Sequence, residues 1–247
     1  MSISIGGKIV TDGLVIHLDA SNGKSYPGSG TSWIDLTPYD NTASLNAGAN
    51  PVTIENGYAT FSGVNNAEFA QIVTFPEINI NTEYATVDMW LKIKSPNTTP
   101  NSVGLIFGWG GGSPYCVGVR PDDDTLGFIS GTNDMYGIDT IVPLLNMWKH
   151  YSFVMVKTNG TGLDKTDQKL YINGQLQSLS YQIGTWGTSQ FSNGVNTSLR
   201  FPGRYFTNGE NLLTNMDLAL MKVYNRELTQ AEVTQNFNAH KGRFNIY

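Results

Sequence analysis

The stretch from Trp148 to Gly174, WKHYSFVMVKTNGTGLDKTDQKLYING, limits the fold of this chain more than any other. Side chains along a strand alternate between faces, so Tyr151, Phe153 and Met155 share one face and Ser152, Val154 and Val156 the other. Apolar residues stand on both faces, which predicts a central strand covered on each side. A second strand over 169–172 runs into Asn173-Gly174, a pair that tolerates the positive φ angles of a type I′ turn.

Residues 85–94, ATVDMWLKIK, give the cleanest alternation. Ala85, Val87, Met89, Leu91 and Ile93 form a core face, and Thr86, Asp88, Trp90, Lys92 and Lys94 a wetter one, with Trp90 out of character. Further strands are predicted over 14–18, 58–62, 71–75, 103–109, 115–120, 125–129, 138–142, 176–183, 198–202 and 217–224. Residues 21–32, 95–101 and 185–197 read as loops. Charged residues make up 14% of the chain and glycines number 27, as suits many strands joined by turns. A length of 247 residues suits one large all-β unit.

One helix is well specified. Thr229-Gln230-Ala231-Glu232 is a capping box, in which hydroxyl and carboxylate each satisfy a backbone N–H. Leu228 and Val233 are spaced as a hydrophobic staple, and Val233 and Phe237 form an i, i+4 pair facing the strands. Gly242 is the predicted stop. The chain thus divides into a leader over 1–13, a sandwich over 14–242 and a tail over 243–247.

The formal charge of −5 opposes a nucleic-acid partner, because phosphate contacts need a positive patch. No apolar run approaches the roughly 20 residues that span a bilayer. The N-terminus has no basic region followed by an apolar run, so no signal peptide is expected and the protein is made in the cytosol. Cys116 is the single cysteine and reads as a buried thiol.

A Trp before a buried strand, followed by a strand ending in Ile-Asn-Gly, resembles the laminin-G-like, concanavalin A-like jelly-roll family. The opening GGKIVTDGLVIHLDASNGKSYPGSGTSWIDL (6–36), with Phe61-Ser62-Gly63-Val64-Asn65 after it, resembles laminin-G-like virion proteins of tailed bacteriophages. So does the ending VYNRELTQAEVTQNFNAHKGRF (223–244). The resemblance implies an all-β antiparallel sandwich of jelly-roll type with one short C-terminal helix. It implies a non-enzymatic virion protein, a capsid decoration or a tail or fibre accessory, assembled in the host cytoplasm and present in many copies. Its partners would be other capsid or tail subunits and host surface polysaccharide, with neither nucleic acid nor membrane insertion. A carbohydrate-binding adhesin or receptor-binding module, cellular or viral, is the alternative.

Catalytic patterns are sparse. Glucanases of this sandwich class carry Glu-x-Asp-x-x-Glu on one strand, and no such run occurs. His17, His150 and His240 stand apart in sequence, and a packed, hydrogen-bonded ring suits His150. No serine lies in a G-x-S-x-G elbow. The family often binds calcium at a loop rim, and Asp122, Asp123 and Asp124 offer hard oxygen ligands, although a solvated acidic turn is the plainer reading. No cofactor is required. Trp109, Tyr115, Trp186, Tyr205 and Phe206 fall at strand ends or in loops, where a sugar would find aromatic faces.

Overall fold

A computed structural model describes residues 7–64, 68–79, 81–95, 103–109, 116–120, 124–129, 135–156, 167–184, 198–203 and 213–246. The early strands are short: β1 (Leu14–Asp19), β2 (Ser32–Trp33), β3 (Ala43–Ser44), β4 (Thr53–Glu55), β5 (Tyr58–Phe61) and β6 (Ala70–Ile72). The central ones follow as β7 (Tyr84–Ser95), β8 (Gly104–Trp109), β9 (Cys116–Arg120), β10 (Thr125–Ile129), β11 (Met135–Ile138) and β12 (Lys149–Val156). The last are β13 (Lys169–Ile172), β14 (Gln175–Leu176), β15 (Tyr181–Ile183), β16 (Leu199–Phe201) and β17 (Asn215–Tyr224), before helix α1 (Gln230–His240). They form two antiparallel sheets. The first runs β14-β13-β12-β7-β17-β5-β4, with β1 also on β17. The second runs β15-β11-β10-β9-β8-β16-β6-β3-β2.

The inner faces meet as the alternation requires. Phe153 of β12 packs edge-on against Phe107 of β8 and Phe128 of β10, at centroid distances of 5.6 and 5.9 Å. The core face of β7, Ala85 to Ile93 by twos, is fully buried in the same cluster. In the second sheet Gly118, Gly127 and Gly137 stand in register across β9, β10 and β11. A Cβ on Gly127 would sit 2.3 Å from the Tyr136 carbonyl oxygen and 2.7 Å from the Gly137 Cα, so this row admits no side chain.

Helix α1 has the predicted start. Thr229 N–H donates to Glu232 Oε2 at 2.9 Å, and Glu232 N–H donates to the Thr229 hydroxyl. Leu228 and Val233 are fully buried together. Three expectations are corrected. The strand expected at 138–142 lies instead at β11, and Val142–Leu144 is a 3-10 turn with Pro143 in it. The strand expected over 176–183 splits, β14 pairing with β13 in the first sheet and β15 with β11 in the second. Gly242 does not end the helical segment: a 3-10 turn over Lys241–Phe244 runs through it, and the chain leaves at Asn245 with φ 55°.

The segment before β1 is tied to the helix. Val10 N–H donates to Asn236 Oδ1 at 2.9 Å, the Val10 carbonyl accepts from Tyr224 Oη at 3.0 Å, and the Lys8 carbonyl accepts from Gln235 Nε2 at 2.9 Å. Substituting Gly127→Ala should therefore destabilise the protein by about 1–3 kcal/mol through overpacking between β10 and β11. Gly242→Ala, which meets nothing within 4 Å, should leave stability unchanged or slightly raised. Urea denaturation of the two variants beside the parent checks both.

Candidate functional site

Of the expected sugar and calcium groups, only Trp109 and Asp124 fall among the described residues. Trp109, last in β8, stands on the inner face with no exposed surface, edge-on to Phe107 at 5.6 Å. Strand alternation turned it into the core, so it offers no face to a sugar. Tyr115, Trp186, Tyr205 and Phe206 lie outside the described residues, as do Asp122 and Asp123. Asp124 sits at φ 52°, and its Oδ1 accepts the amides of Ile141 at 3.1 Å and Val142 at 2.8 Å. That carboxylate fixes the start of the 3-10 turn. Among the described residues no three acidic, histidine or cysteine side chains are grouped to hold a metal ion.

A different constellation occupies the outer face of the first sheet. Asp88 on β7 lies opposite Ser152 of β12 on one side and Lys222 of β17 on the other. His150, Ser152, Asp88, Lys222 and Asn236 of α1 are all fully buried. Asp88 Oδ2 takes a hydrogen bond from Ser152 Oγ at 2.6 Å, lies 2.8 Å from His150 Nε2 and accepts from Asn236 Nδ2 at 3.4 Å. Asp88 Oδ1 pairs with the Lys222 ammonium. Burial pushes the Asp88 carboxyl upward, but His150 and Lys222 outweigh it and hold the group well below the usual carboxylate range.

The other two histidines come to the same place. His17 on β1 is the register partner of Lys222, and His240 ends α1. Burial, followed by the Lys222 charge, pushes both rings down to about 4. Tyr224 is pushed up by burial and then by Asp88. Ser152 bonds Asp88 and not a histidine nitrogen, so the nucleophile–base contact of acyl transfer is not formed. The side chains that surround Asp88 have no exposed surface through which a substrate could reach them. The cluster holds the helix and the first segment to the sheet. The cluster is assembled only by tertiary contact; its trace in the sequence is four polar residues, at 88, 150, 152 and 222, on three long strands.

The same outer face stays open beyond the helix. Trp90 marks the border: its ring stacks on Phe244 at 4.1 Å and on Phe237 at 5.9 Å. Past it stand Trp148, Lys92, Asp217 and Thr60, the last three being register partners across β7, β17 and β5. Lys92 Nζ and Lys94 Nζ reach the two oxygens of Asp217 at 2.8 and 2.5 Å, and the Thr60 hydroxyl donates to it at 3.0 Å. The Lys92 ammonium lies over the rings of Tyr58 and Trp148 at 5.4 and 5.2 Å, and those rings meet edge-on at 5.5 Å. Tyr58, Trp148, Lys92 and Lys94 are partly exposed, whereas Asp217 is 1% exposed.

Two face-to-face antiparallel sheets with one short C-terminal helix define a lectin-like sandwich. The chain belongs to the concanavalin A-like lectin/glucanases superfamily, whose family model matches residues 66–234. No curated protein sequence matches. Among solved structures it is similar to a Trypanosoma rangeli sialidase in complex with sialic acid, at 15% identity and a TM-score of 0.61 over 96% of this chain. It is also similar to the binding domain of Paraclostridial Mosquitocidal Protein 1, at 16% identity and a TM-score of 0.59 over 92%. The chain spans 36% and 52% of those two. At such identity the likeness shows the fold alone.

Replacing Asp88→Asn leaves the buried Lys222 without a counter-charge and should cost about 3–5 kcal/mol in denaturant unfolding. Stability should also fall with acid in a defined window. Unfolded His17 and His240 take protons near 6.5, whereas the folded rings stay neutral down to about 4. The unfolded chain therefore binds more protons between those values, and stability is lost as pH falls from 6.5 to 4. The double variant His17→Gln/His240→Gln should flatten that part of the profile in unfolding measured at stepped pH.

Proposed function

We propose that this protein is a non-enzymatic component of a tailed-phage virion, a capsid decoration or a tail or fibre accessory, whose sandwich touches host surface glycans. The observation that carries the non-catalytic part is the sealing of Asp88, His150, Ser152 and Lys222, a fully buried hydrogen-bonded group, beneath α1. A cluster closed to solvent serves the fold, which leaves the open face for contact. Membership of a lectin and glucanase superfamily supports a glycan as what is touched. The likeness of residues 6–36 and 223–244 to laminin-G-like phage proteins supports the virion. Many copies on one particle would turn weak contacts into avidity, without a tight single site or a cofactor. The adhesin reading shares this surface and differs only in where the protein is carried.

Density-purified particles from a lysate of the source, examined by immunogold labelling and mass spectrometry, test the reading. Label in regular register on heads or tails is the expected result. Particles that lack the protein would remove the virion role. Hydrolysis of a β-glucan or a sialoside by the purified chain would remove the non-enzymatic one.

A further inference from the structure

We infer that the open half of the first sheet's outer face binds an anionic polysaccharide, one bearing carboxylate or sulfate groups, at Lys92 and Lys94. This deepens the glycan reading above and rests on it. Two ammonium groups converge there on a single carboxylate. Asp217 is sealed beneath them and filled by Lys92, Lys94 and Thr60, so the group carries a net positive charge in a chain of formal charge −5. Each ammonium has three N–H donors, and its contact with Asp217 uses one. The remaining donors sit on side chains 23% and 31% exposed, within reach of a bidentate anion.

The aromatic groups flank and hold the cation: the ring faces of Tyr58 and Trp148 are turned to Lys92, which fixes where its ammonium stands. The flat rings also supply rigid contact area for the body of a sugar at low entropic cost. The site is held in place before any ligand arrives. Lys92 is fixed by Asp217 and two rings, Trp148 packs on Phe244 at 5.1 Å, and Phe244 stacks on the buried Trp90. Of the other carboxylates of this sheet, Glu55 on β4 is the register partner of Tyr58, Asp19 on β1 is taken up by Arg243 at 2.7 Å, and Glu68 accepts from Ser62 N–H just past the end of β5. Neither β4 nor β1 is a neighbour of β7, so neither Glu55 nor Asp19 is on a strand beside Lys92.

Binding of the full chain to immobilised alginate and heparin, with dextran as the neutral polymer, tests the site. At least one acidic polymer should bind over dextran, and the binding should weaken with added salt. Lys92→Gln/Lys94→Gln should lower that affinity about tenfold, and Lys92→Arg/Lys94→Arg should keep it. Because the double Gln variant strips the buried Asp217, Lys94→Gln alone provides a second reading: it retains the Lys92 pair and should cost about threefold at an unchanged melting temperature. Equal binding of dextran, or full binding by a folded Lys94→Gln and double Gln variant, overturns this site while leaving glycan contact elsewhere on the protein intact. Failure of the acidic polymers, dextran and host polysaccharide alike overturns both.

Discussion

The buried pair of Asp88 and Lys222 is the interaction on which the arrangement of this chain depends. Removing two charges from water is costly, and the pair is sustained only because His150, Ser152 and Asn236 satisfy the same carboxylate. Those partners come from β12 and α1, while the pair itself joins β7 to β17. The carboxylate thus demands a cover, and the cover is the C-terminal helix. Asn236 then hands the connection on to Val10 and Tyr224, so the first described segment and the last helix close over one charge. The pair also fixes register. A slip of β17 by one residue would turn Lys222 into the core and Met221 out of it.

Much of this was readable along the chain. The alternation of residues 85–94 placed β7 with the right face inward, and the capping box at Thr229 started the helix where it starts. Both are local signals, written within a dozen residues. What escaped was non-local. His150 is the packed, hydrogen-bonded ring its place in the strand implies, but its partner was not legible: Asp88 and His17 look like ordinary outward residues until a helix that begins at Gln230 covers them, and no periodicity in β7 or β12 reports that helix. Trp109 misled for a related reason. It is the last residue of its strand, and whether such a residue belongs to the rim or the core depends on how far the opposite sheet extends. The exit at Asn245 in place of Gly242 follows from Phe244, whose stacking on Trp90 carries the helical turn past the glycine.

Strand β7 shows how one alternating face serves two ends. Asp88, Trp90, Lys92 and Lys94 all point outward, yet the first two are sealed and the last two reach water. The difference is only the footprint of α1 and the turn after it. The same residue pattern, a lysine beside an aspartate, is therefore a structural bolt under the helix and an addressable charge beyond it. Screening separates the two: Lys222 meets its partner in a dry interior, whereas Lys92 and Lys94 exchange with solvent and salt.

That border explains why the open half can be stiff without being buried. Lys92 is anchored from below by Asp217, and its aromatic neighbours are anchored sideways through Trp148 to Phe244 and then to Trp90. The last of these rings lies in the sealed region, so the order of the exposed row is inherited from the packing under the helix. A surface that is already ordered loses little freedom when something lands on it. Phe244 is the link between the two regions, because it stacks on the sealed Trp90 and packs against Trp148, whose ring lies under the Lys92 ammonium.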